Sequence, residues 1–325
     1  MTHPQQPKTP LHIACAVDDS FSYPLAVMLV SLFQNHPEEL LRIHLFSASL
    51  SDDNVARLQK LAQRYKQELV FYPLQPHLFE GLPTNDRISK AAYYRLLIPN
   101  NICKTVEKFL YLDADIIVTK RISDLLNQSM ENYIIGAVND ITAIEMKMHL
   151  KHSIPSDFLY FNSGVLLINR IEWEKENISH KIINYIASNK ELCQFHDQDG
   201  LNATLYNKRL ELPPVWNQQI GLYYTDIDVL NRVYNGQHLE ALKHPAIVHF
   251  NGSEKPWHQV SAHPWKKEFR KYASQALEFS WREPWNWRKQ AKRTLIYGLV
   301  GWIRVNRYYY QKQQKINQKS NHLKS

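Results

Sequence analysis

Residues 106–118 read VEKFLYLDADIIV, a short apolar run that ends on two aspartates and then resumes. Val106 to Leu112 is typical of a buried strand, and Asp113 and Asp115 follow it two positions apart. On an extended segment both carboxylates point to the same side. Burying them among apolar residues costs free energy unless a positive group neutralises them. The stretch therefore predicts a site for one divalent, oxygen-seeking ion, and a solvated surface turn is the alternative.

Predicted strands and helices alternate along the chain. This alternation predicts an α/β fold in which helices cover both faces of a mostly parallel sheet. Ligands of such sheets bind outside the carboxyl ends of the strands. The predicted strands are Leu11–Val17, Leu41–Phe46, Leu69–Tyr72, Val106–Leu112, Tyr133–Val138, Val165–Ile168 and Ala246–Phe250. The predicted helices are Tyr23 to about His36, Asp52–Tyr65 after a capping Ser51, Arg87–Leu97 ending before Ile98-Pro99, and one that begins near Asp197.

Length and composition indicate a globular protein. The chain has 325 residues, 44% of them apolar, which is enough to bury a large core, and no linker divides residues 11–260. Its three cysteines are an odd number set far apart, which argues against a disulfide framework and favours a reducing compartment. Residues 1–10 are polar and contain no apolar segment of a secretory signal. We therefore expect a flexible N-terminus, a body at 11–264 and a cytoplasmic location.

Positive charge is concentrated at the C-terminus. The whole chain carries a net charge of +8, but residues 265–325 contain 15 Lys and Arg against 3 Asp and Glu. Such a tail suits an anionic surface, either lipid or nucleic acid. Its Trp and Tyr residues suit a lipid headgroup layer, and its apolar core, Thr294 to Ile303, is shorter than the roughly 20 residues of a spanning helix. A peripheral membrane helix is predicted, and a helix packed on the body is the alternative.

Two further positions suit the predicted metal site. His249 ends an apolar run before Asn251-Gly252, so that its imidazole is a candidate third ligand, although most histidines are ordinary polar residues. Lys255 is suited to holding a diphosphate, and Gly252 lets the backbone approach a phosphate closely.

Two other motifs allow both a functional and a structural interpretation. Asp197-Gln198-Asp199-Gly200 is typical of a helix start, where acidic groups favour the positive end of the helix dipole, so that a plain N-cap is one interpretation. Phe161-Asn162-Ser163-Gly164 indicates either a tight turn into a strand or a carboxamide that reaches a ligand.

Six motifs in this order resemble the family-8 retaining glycosyltransferases, especially the bacterial lipo-oligosaccharide galactosyltransferases and the related lipopolysaccharide glucosyl- and galactosyltransferases. The resemblance runs from about Ile13 to Trp257. The motifs are Ala16-Val17-Asp18-Asp19, Tyr94-Arg95-Leu96, Tyr111-Leu112-Asp113-Ala114-Asp115, Phe161 to Asn169, Asp197-Gln198-Asp199 and His249 to Trp257.

The resemblance implies a nucleotide-diphospho-sugar-binding fold of the A type and a set of site residues. It implies Mn²⁺, with Mg²⁺ as the other choice, on Asp113, Asp115 and His249. It places Gln198 near the anomeric carbon, with Asp197 and Asp199 beside it as further catalytic candidates. The implied donor-binding residues are Ala16, Asp18, Phe21, Arg95, Asp113, Ala114, Asp115, Asn162, Gly252 and Lys255.

The acceptor side departs from the family pattern. Phe195-His196 stand where Tyr-Gln is closer to the pattern, and Asn251 replaces a Cys beside the acceptor site. Phe21 stands where Tyr is typical, a change that preserves stacking on a base. Asp140, Phe195 and Asn251 are the acceptor residues that the resemblance implies, and the acceptor is expected to differ from that of the relatives.

The predicted activity is retaining transfer of galactose or glucose from a UDP-sugar to a lipid-linked glycan, a lipo-oligosaccharide or lipopolysaccharide, with an α-glycosidic product. The protein is expected at the inner face of the membrane, held by residues 265–325, with no nucleic-acid partner. Two other classes remain open: a metal-dependent nucleotidyltransferase, and a nucleic-acid-binding protein with a basic tail. The sequence does not distinguish the two hexoses or define the acceptor.

Overall fold

The computed structural model describes residues 9–75, 91–252, 255–258, 261, 263–281 and 291. The strands are β1 (Leu11–Ala16), β2 (Leu41–Ser47), β3 (Glu68–Pro73), β4 (Lys108–Leu112), β5 (Ile116–Val118), β6 (Ile135–Asn139), β7 (Phe161–Asn169), β8 (Arg209–Glu211), β9 (Gln218–Gln219) and β10 (Ile247–His249). Seven form a central sheet in the order β3-β2-β1-β4-β7-β6-β8. Only β7 runs antiparallel to its neighbours in this sheet. The predicted α/β fold with a mostly parallel sheet is confirmed.

Helices connect most of the strands. They are α1 (Ser22–Gln34), α2 (Asp52–Arg64), α3 (Ala91–Tyr94), α4 (Ile98–Asn101), α5 (Ser123–Leu126), α6 (Ile141–Glu145), α7 (Met148–Lys151), α8 (Arg170–Lys175), α9 (Ile178–Ser188), α10 (Asp197–Leu205), α11 (Gly221–Tyr224), α12 (Ile227–Tyr234), α13 (His238–Lys243) and α14 (Lys266–Ala273). Among the helices of the described ranges, none has the length and apolar character needed to cross a bilayer.

Hydrophobic side chains are buried on both faces of the central sheet. Along β4, Leu110 and Leu112 belong to one buried cluster, whereas Phe109 and Tyr111 belong to another. Successive strand residues point to opposite faces, so this alternation shows that both faces are covered. Each large apolar side chain buried in this way stabilises the fold by about 1.5–3 kcal/mol. The run of apolar residues that predicted a buried strand is explained by this two-sided burial.

A second, smaller sheet brings a distant part of the chain to the end of β4. Its order is β5-β10-β9, with β10 antiparallel to β5, and His249 is opposite Ile116. The Phe250 N–H donates a hydrogen bond to the Asp115 carbonyl at 2.9 Å. The bend that contains Asp113 and Asp115 is thereby fixed against the end of β10.

Three local predictions were wrong. The helix predicted to stop at Leu97 continues through a 3-10 turn, Arg95–Leu97, into α4. Pro99 is tolerated because it lies in the first turn of α4, where proline costs no helical hydrogen bond. Residues 87–90 lie outside the described residues. Phe161 to Gly164 form the start of β7 rather than a tight turn. Ala114 and Asp115 form a bend between β4 and β5, so Asp113 and Asp115 do not lie on one extended segment.

The described part of the C-terminal region packs on the body. Helix α14 buries Phe269 and Tyr272, and Trp281 stacks on Tyr23 with ring centroids 5.9 Å apart. The predicted amphipathic core, Thr294 to Ile303, lies outside the described residues.

Candidate active site

The candidate site lies at one edge of the central sheet. The parallel strands β1, β4 and β6 end there, at Ala16, Leu112 and Asn139. Because β7 is antiparallel to β4, its beginning lies at the same edge, and the Asp113 N–H donates to the Gly164 carbonyl at 2.9 Å. Residues that are far apart in sequence therefore meet where α/β sheets bind ligands.

Asp113, Asp115 and His249 form a three-residue cluster at this edge. Each offers one ligand atom, and these atoms all lie within 4.8 Å of one another. His249 Nε2 is 3.3 Å from Asp115 Oδ1 and 3.7 Å from Asp113 Oδ2. Two carboxylates and one imidazole are a donor set for a borderline-hard divalent ion such as Mn²⁺, so the residues fit the implied metal.

Because Gly164 has no side chain, the cluster can occupy the space next to it. A Cβ atom at this position would lie 2.2 Å from His249 Cε1 and 2.8 Å from Asp113 Oδ2. Both distances are far inside van der Waals contact, so any side chain here would displace two of the three candidate ligands. The glycine of the Phe161–Gly164 motif is therefore required by the packing of the site.

Arg95 joins the cluster to helix α10. Its guanidinium is 3.0 Å from Asp113 Oδ1 and 3.1 Å from Asp197 Oδ2, and it donates to the Ser163 carbonyl at 2.7 Å. Burial disfavours the charge of Arg95, but Asp113 and Asp197 outweigh this effect and raise its pKa. Burial raises the pKa of Asp197 to about 6, and Arg95 limits the increase. Asp197 is thus a buried partner of Arg95.

Lys255 places a second positive charge beside the cluster. Its ammonium is 2.6 Å from Asp115 Oδ2 and donates to the Phe250 carbonyl at 2.8 Å. Although burial acts in the opposite direction, Lys255 and His249 hold the pKa of Asp115 well below its ordinary value. Nearby, Gly252 is exposed and has φ of +96°, a conformation that favours glycine.

The Gln198 carboxamide is held in one orientation. Its Oε1 accepts from the Ser163 N–H at 3.0 Å, and its Nε2 donates to Asp140 Oδ2 at 3.1 Å. A backbone N–H only donates and a carboxylate accepts, so these two partners fix which end is oxygen. Asp140 is buried and also caps α6 by accepting from the Ala143 N–H at 3.0 Å. The structure thus places Asp140, an implied acceptor residue, directly against Gln198.

Asp199 belongs to a separate buried network. Its side chain has no exposed surface, accepts from the Tyr160 hydroxyl at 2.5 Å and lies 2.9 Å from His152 Nε2. Its other oxygen accepts from the Phe195 N–H at 2.5 Å. Asp199 therefore ties the loop before α10 to the core, and its hydrogen bonds do not connect it to the Asp113–Asp115–His249 cluster.

The plain N-cap interpretation of the Asp197–Gly200 motif was wrong. Asp197 is the first residue of α10, and the N-cap position is occupied by His196, whose side chain makes no capping hydrogen bond. His196 has φ of +50° and ψ of −108°, a region that non-glycine residues rarely adopt and that costs of order 1–3 kcal/mol. This strain directly precedes two site residues.

The remaining implied donor and acceptor residues line the same edge or its flank. Asp18 Oδ1 accepts from the Ser20 N–H at 3.1 Å, and Phe21 meets Trp257 edge-on with ring centroids 6.1 Å apart. Asn251 Oδ1 accepts from the Ile220 N–H at 3.2 Å. Asn162 connects Gln198 to a residue that the sequence patterns did not single out, Asn217, through hydrogen bonds of 3.2 and 2.9 Å.

Comparison with known proteins identifies the enzyme class and the family. The family model for glycosyl transferase family 8 matches residues 12–261, so the chain belongs to that family. The resemblance drawn from the six motifs is confirmed.

Two curated relatives illustrate the similarity. The chain is 33% identical over 271 residues to general stress protein A of Bacillus subtilis, covering 81% of this chain and 93% of that protein. It is 29% identical over 280 residues to lipopolysaccharide 1,3-galactosyltransferase of Salmonella typhimurium, covering 85% and 79% respectively.

A solved structure supports the same fold. The galactosyltransferase LgtC, crystallised with donor and acceptor sugar analogs, matches with a TM-score of 0.75 and 26% identity over 86% of this chain and 99% of that chain. The nucleotide-diphospho-sugar-binding A-type fold is therefore confirmed.

Proposed function

We propose that this family-8 enzyme transfers galactose or glucose from a UDP-sugar to a lipo-oligosaccharide or lipopolysaccharide acceptor and forms an α-glycosidic bond. The observation that carries the proposal is the Asp113–Asp115–His249 cluster, which lies at the same sheet edge as Lys255 and Gln198. The named activities of the Salmonella relative and of LgtC support the sugar and acceptor classes.

Asp113, Asp115 and His249 would hold Mn²⁺, or alternatively Mg²⁺. Bound there, the ion supplies charge neutralisation for the diphosphate as the sugar leaves. The Arg95 guanidinium pairs with Asp113 and the Lys255 ammonium pairs with Asp115, so each carboxylate has a positive partner. The Lys255 ammonium lies beside Asp115, so it would contact a diphosphate bound at the cluster.

Arg95 and Asn162 would bind the donor sugar. Both are buried: Arg95 donates to the Ser163 carbonyl in the first part of β7, and Asn162 donates to Gln198 on α10. Ala114 lies between the two aspartates and would contact the donor beside them. Ala16, the last residue of β1, and Asp18 and Phe21, which follow the strand, would surround the uracil ring.

Retention of configuration requires the new bond to form on the face that UDP leaves, or a double displacement through an enzyme nucleophile. The Gln198 carboxamide is a poor nucleophile, Asp197 is paired with Arg95, and Asp199 is enclosed. We therefore favour front-face transfer, in which a phosphate oxygen of the departing UDP accepts the proton of the acceptor hydroxyl. Gln198 would stabilise the positive charge that develops on the sugar.

A donor screen tests the proposal. With Mn²⁺ and no acceptor, slow hydrolysis of UDP-galactose or UDP-glucose is expected to release UDP, because water replaces the missing acceptor. Release is measured for a panel of UDP-sugars, with GDP-mannose as a matched control that shares the diphosphate. Release of the sugar 1-phosphate, with transfer of UMP to another group, would instead show a nucleotidyltransferase.

Residues 265–325 are proposed to hold residues 11–264 at the cytoplasmic face of the membrane. Truncation before Glu283 keeps Trp281, which stacks on Tyr23, and so preserves the described packing. We expect the truncated enzyme to lose salt-sensitive binding to anionic vesicles because most of the basic and aromatic residues are gone. Vesicle sedimentation measures the loss.

Turnover on a soluble acceptor is the control for this truncation and is expected to be unchanged. A folded truncated enzyme that lost all turnover would show that the tail is part of the active site.

A further inference from the structure

A continuous chain of hydrogen bonds links the backbone of β7 to the imidazole of His249. The Gly164 N–H donates to Asn162 Oδ1 at 3.0 Å. Asn217 Nδ2 donates to the same Oδ1 at 2.9 Å, and Asn217 Oδ1 lies 3.0 Å from His249 Nδ1. Asn162 is buried and Asn217 is fully buried, so water does not replace these partners.

The direction of every hydrogen bond in this chain is determined. The Gly164 N–H can only donate, so the atom of Asn162 that it meets is the oxygen. The opposite end of Asn162 donates to Asp140 Oδ2 at 3.0 Å, which fits the same orientation. Asn217 must then present its nitrogen to Asn162 and its oxygen to His249, because the reverse orientation would place two oxygens 2.9 Å apart.

The orientation of Asn217 determines which nitrogen of His249 carries the proton. An amide oxygen accepts, so His249 Nδ1 must donate, and the lone pair of the neutral ring lies on Nε2. Nε2 is the nitrogen that faces Asp113 and Asp115, at 3.7 and 3.3 Å. The metal-binding tautomer is thus the one that the hydrogen-bond chain selects.

We propose that Asn217 is a positioning residue that orients His249 and holds it in the Nδ1–H tautomer for metal binding, an inference that rests on the proposed metal-dependent function. When a histidine binds a metal through one ring nitrogen, loss of the hydrogen-bond partner of its other ring nitrogen commonly weakens metal affinity by roughly 10- to 100-fold. The same chain continues through Asn162 to Gln198, so Asn217 links the metal cluster to the carboxamide.

Mn²⁺ affinity measures this role. Electron paramagnetic resonance of free Mn²⁺, recorded with UDP present, is expected to show affinity about 10- to 100-fold weaker for Asn217→Leu. Asn217→Asp keeps an acceptor for His249 Nδ1–H but puts a carboxylate oxygen against Asn162 Oδ1, so its affinity should lie between those of wild type and Asn217→Leu. Asn35→Leu is the matched control, because Asn35 binds the Ser31 and Val118 carbonyls away from the site, and its affinity should be unchanged.

The tautomer is measured directly on the wild-type protein, so the test does not depend on a variant that folds. Long-range ¹H–¹⁵N spectra with Mg²⁺ and UDP are expected to show a protonated Nδ1 for the resonance that disappears in His249→Gln. A protonated Nε2 would overturn the proposal, and so would wild-type affinity in folded Asn217→Leu. Wild-type protein that bound no metal would overturn the proposed function as well.

Discussion

Asp115→Asn is expected to reduce turnover at saturating donor by about 1,000-fold or more, equivalent to about 4 kcal/mol of barrier. The two side chains are nearly the same size, so the change removes charge with little loss of packing. Asp115 is buried, lies 3.3 Å from His249 Nε2 and pairs with Lys255. Without its charge, the cluster loses a metal ligand and Lys255 loses its anchor. UDP release in the presence of Mn²⁺ measures the effect.

Chelation tests independently whether turnover depends on a bound divalent ion. Removing divalent ions from the wild-type enzyme should abolish turnover, and adding Mn²⁺ should restore it. Asp53→Asn is the matched control, because Asp53 is exposed and pairs only with Arg57 on helix α2 in the described structure. Full activity of Asp115→Asn or Asp113→Asn in metal-free buffer would refute the assignment of these residues as metal ligands.

Much of the fold follows from local patterns in the sequence. Strand β4 and the two aspartates that follow it were predictable because an apolar run buried on both faces of a sheet contrasts sharply with two carboxylates two positions apart. Helix α2 was predictable from its Ser51 cap, which the structure confirms as an acceptor for the Asn54 N–H. These signals depend on neighbours within a few residues in sequence.

Residues whose roles depend on tertiary contacts were harder to predict. Asn217 lies in the segment PVWNQQ, where nothing in the spacing marks an amide that meets His249, 32 residues later. Asp199 has the same sequence context as Asp197, yet only the packing of His152 and Tyr160 places it in a separate network. The sequence around His249 left its role open. The family resemblance, rather than the spacing, indicated that it is a metal ligand.

Asp140 shows the same limit for a residue that the resemblance did identify. The family pattern implies a place near the acceptor, whereas the structure shows an N-cap of α6 that also accepts from Gln198 and Asn162. The acceptor contact of Asp140 stays a prediction. Its hydrogen bond with Gln198 depends on tertiary packing and is not evident from sequence position.

Gln198→Ala is expected to lower the rate constant by about 10- to 1,000-fold, or about 1.4 to 4 kcal/mol of barrier, and to leave the product α-linked. The variant removes the group proposed to stabilise the positive charge that develops on the sugar. It also leaves the Ser163 N–H without its Gln198 acceptor, whereas Asp140 keeps its bonds to Asn162 and the Ala143 N–H. Single-turnover rates measure the loss, and Gln128→Ala, on the surface at the end of α5, is the control.

The stereochemistry of the product separates the possible mechanisms. If Asp197 were a nucleophile, its ion pair with Arg95 would have to break, and a sugar would become covalently attached to the enzyme. In front-face transfer no such adduct forms, because UDP itself accepts the proton and Gln198 acts only through its dipole. Mass spectrometry of the enzyme with donor searches for the adduct, and the anomeric proton in NMR identifies the linkage. An adduct on Asp197, Gln198 or Asp199 would reject the front-face route, whereas a β-linked product would reject the retaining activity itself.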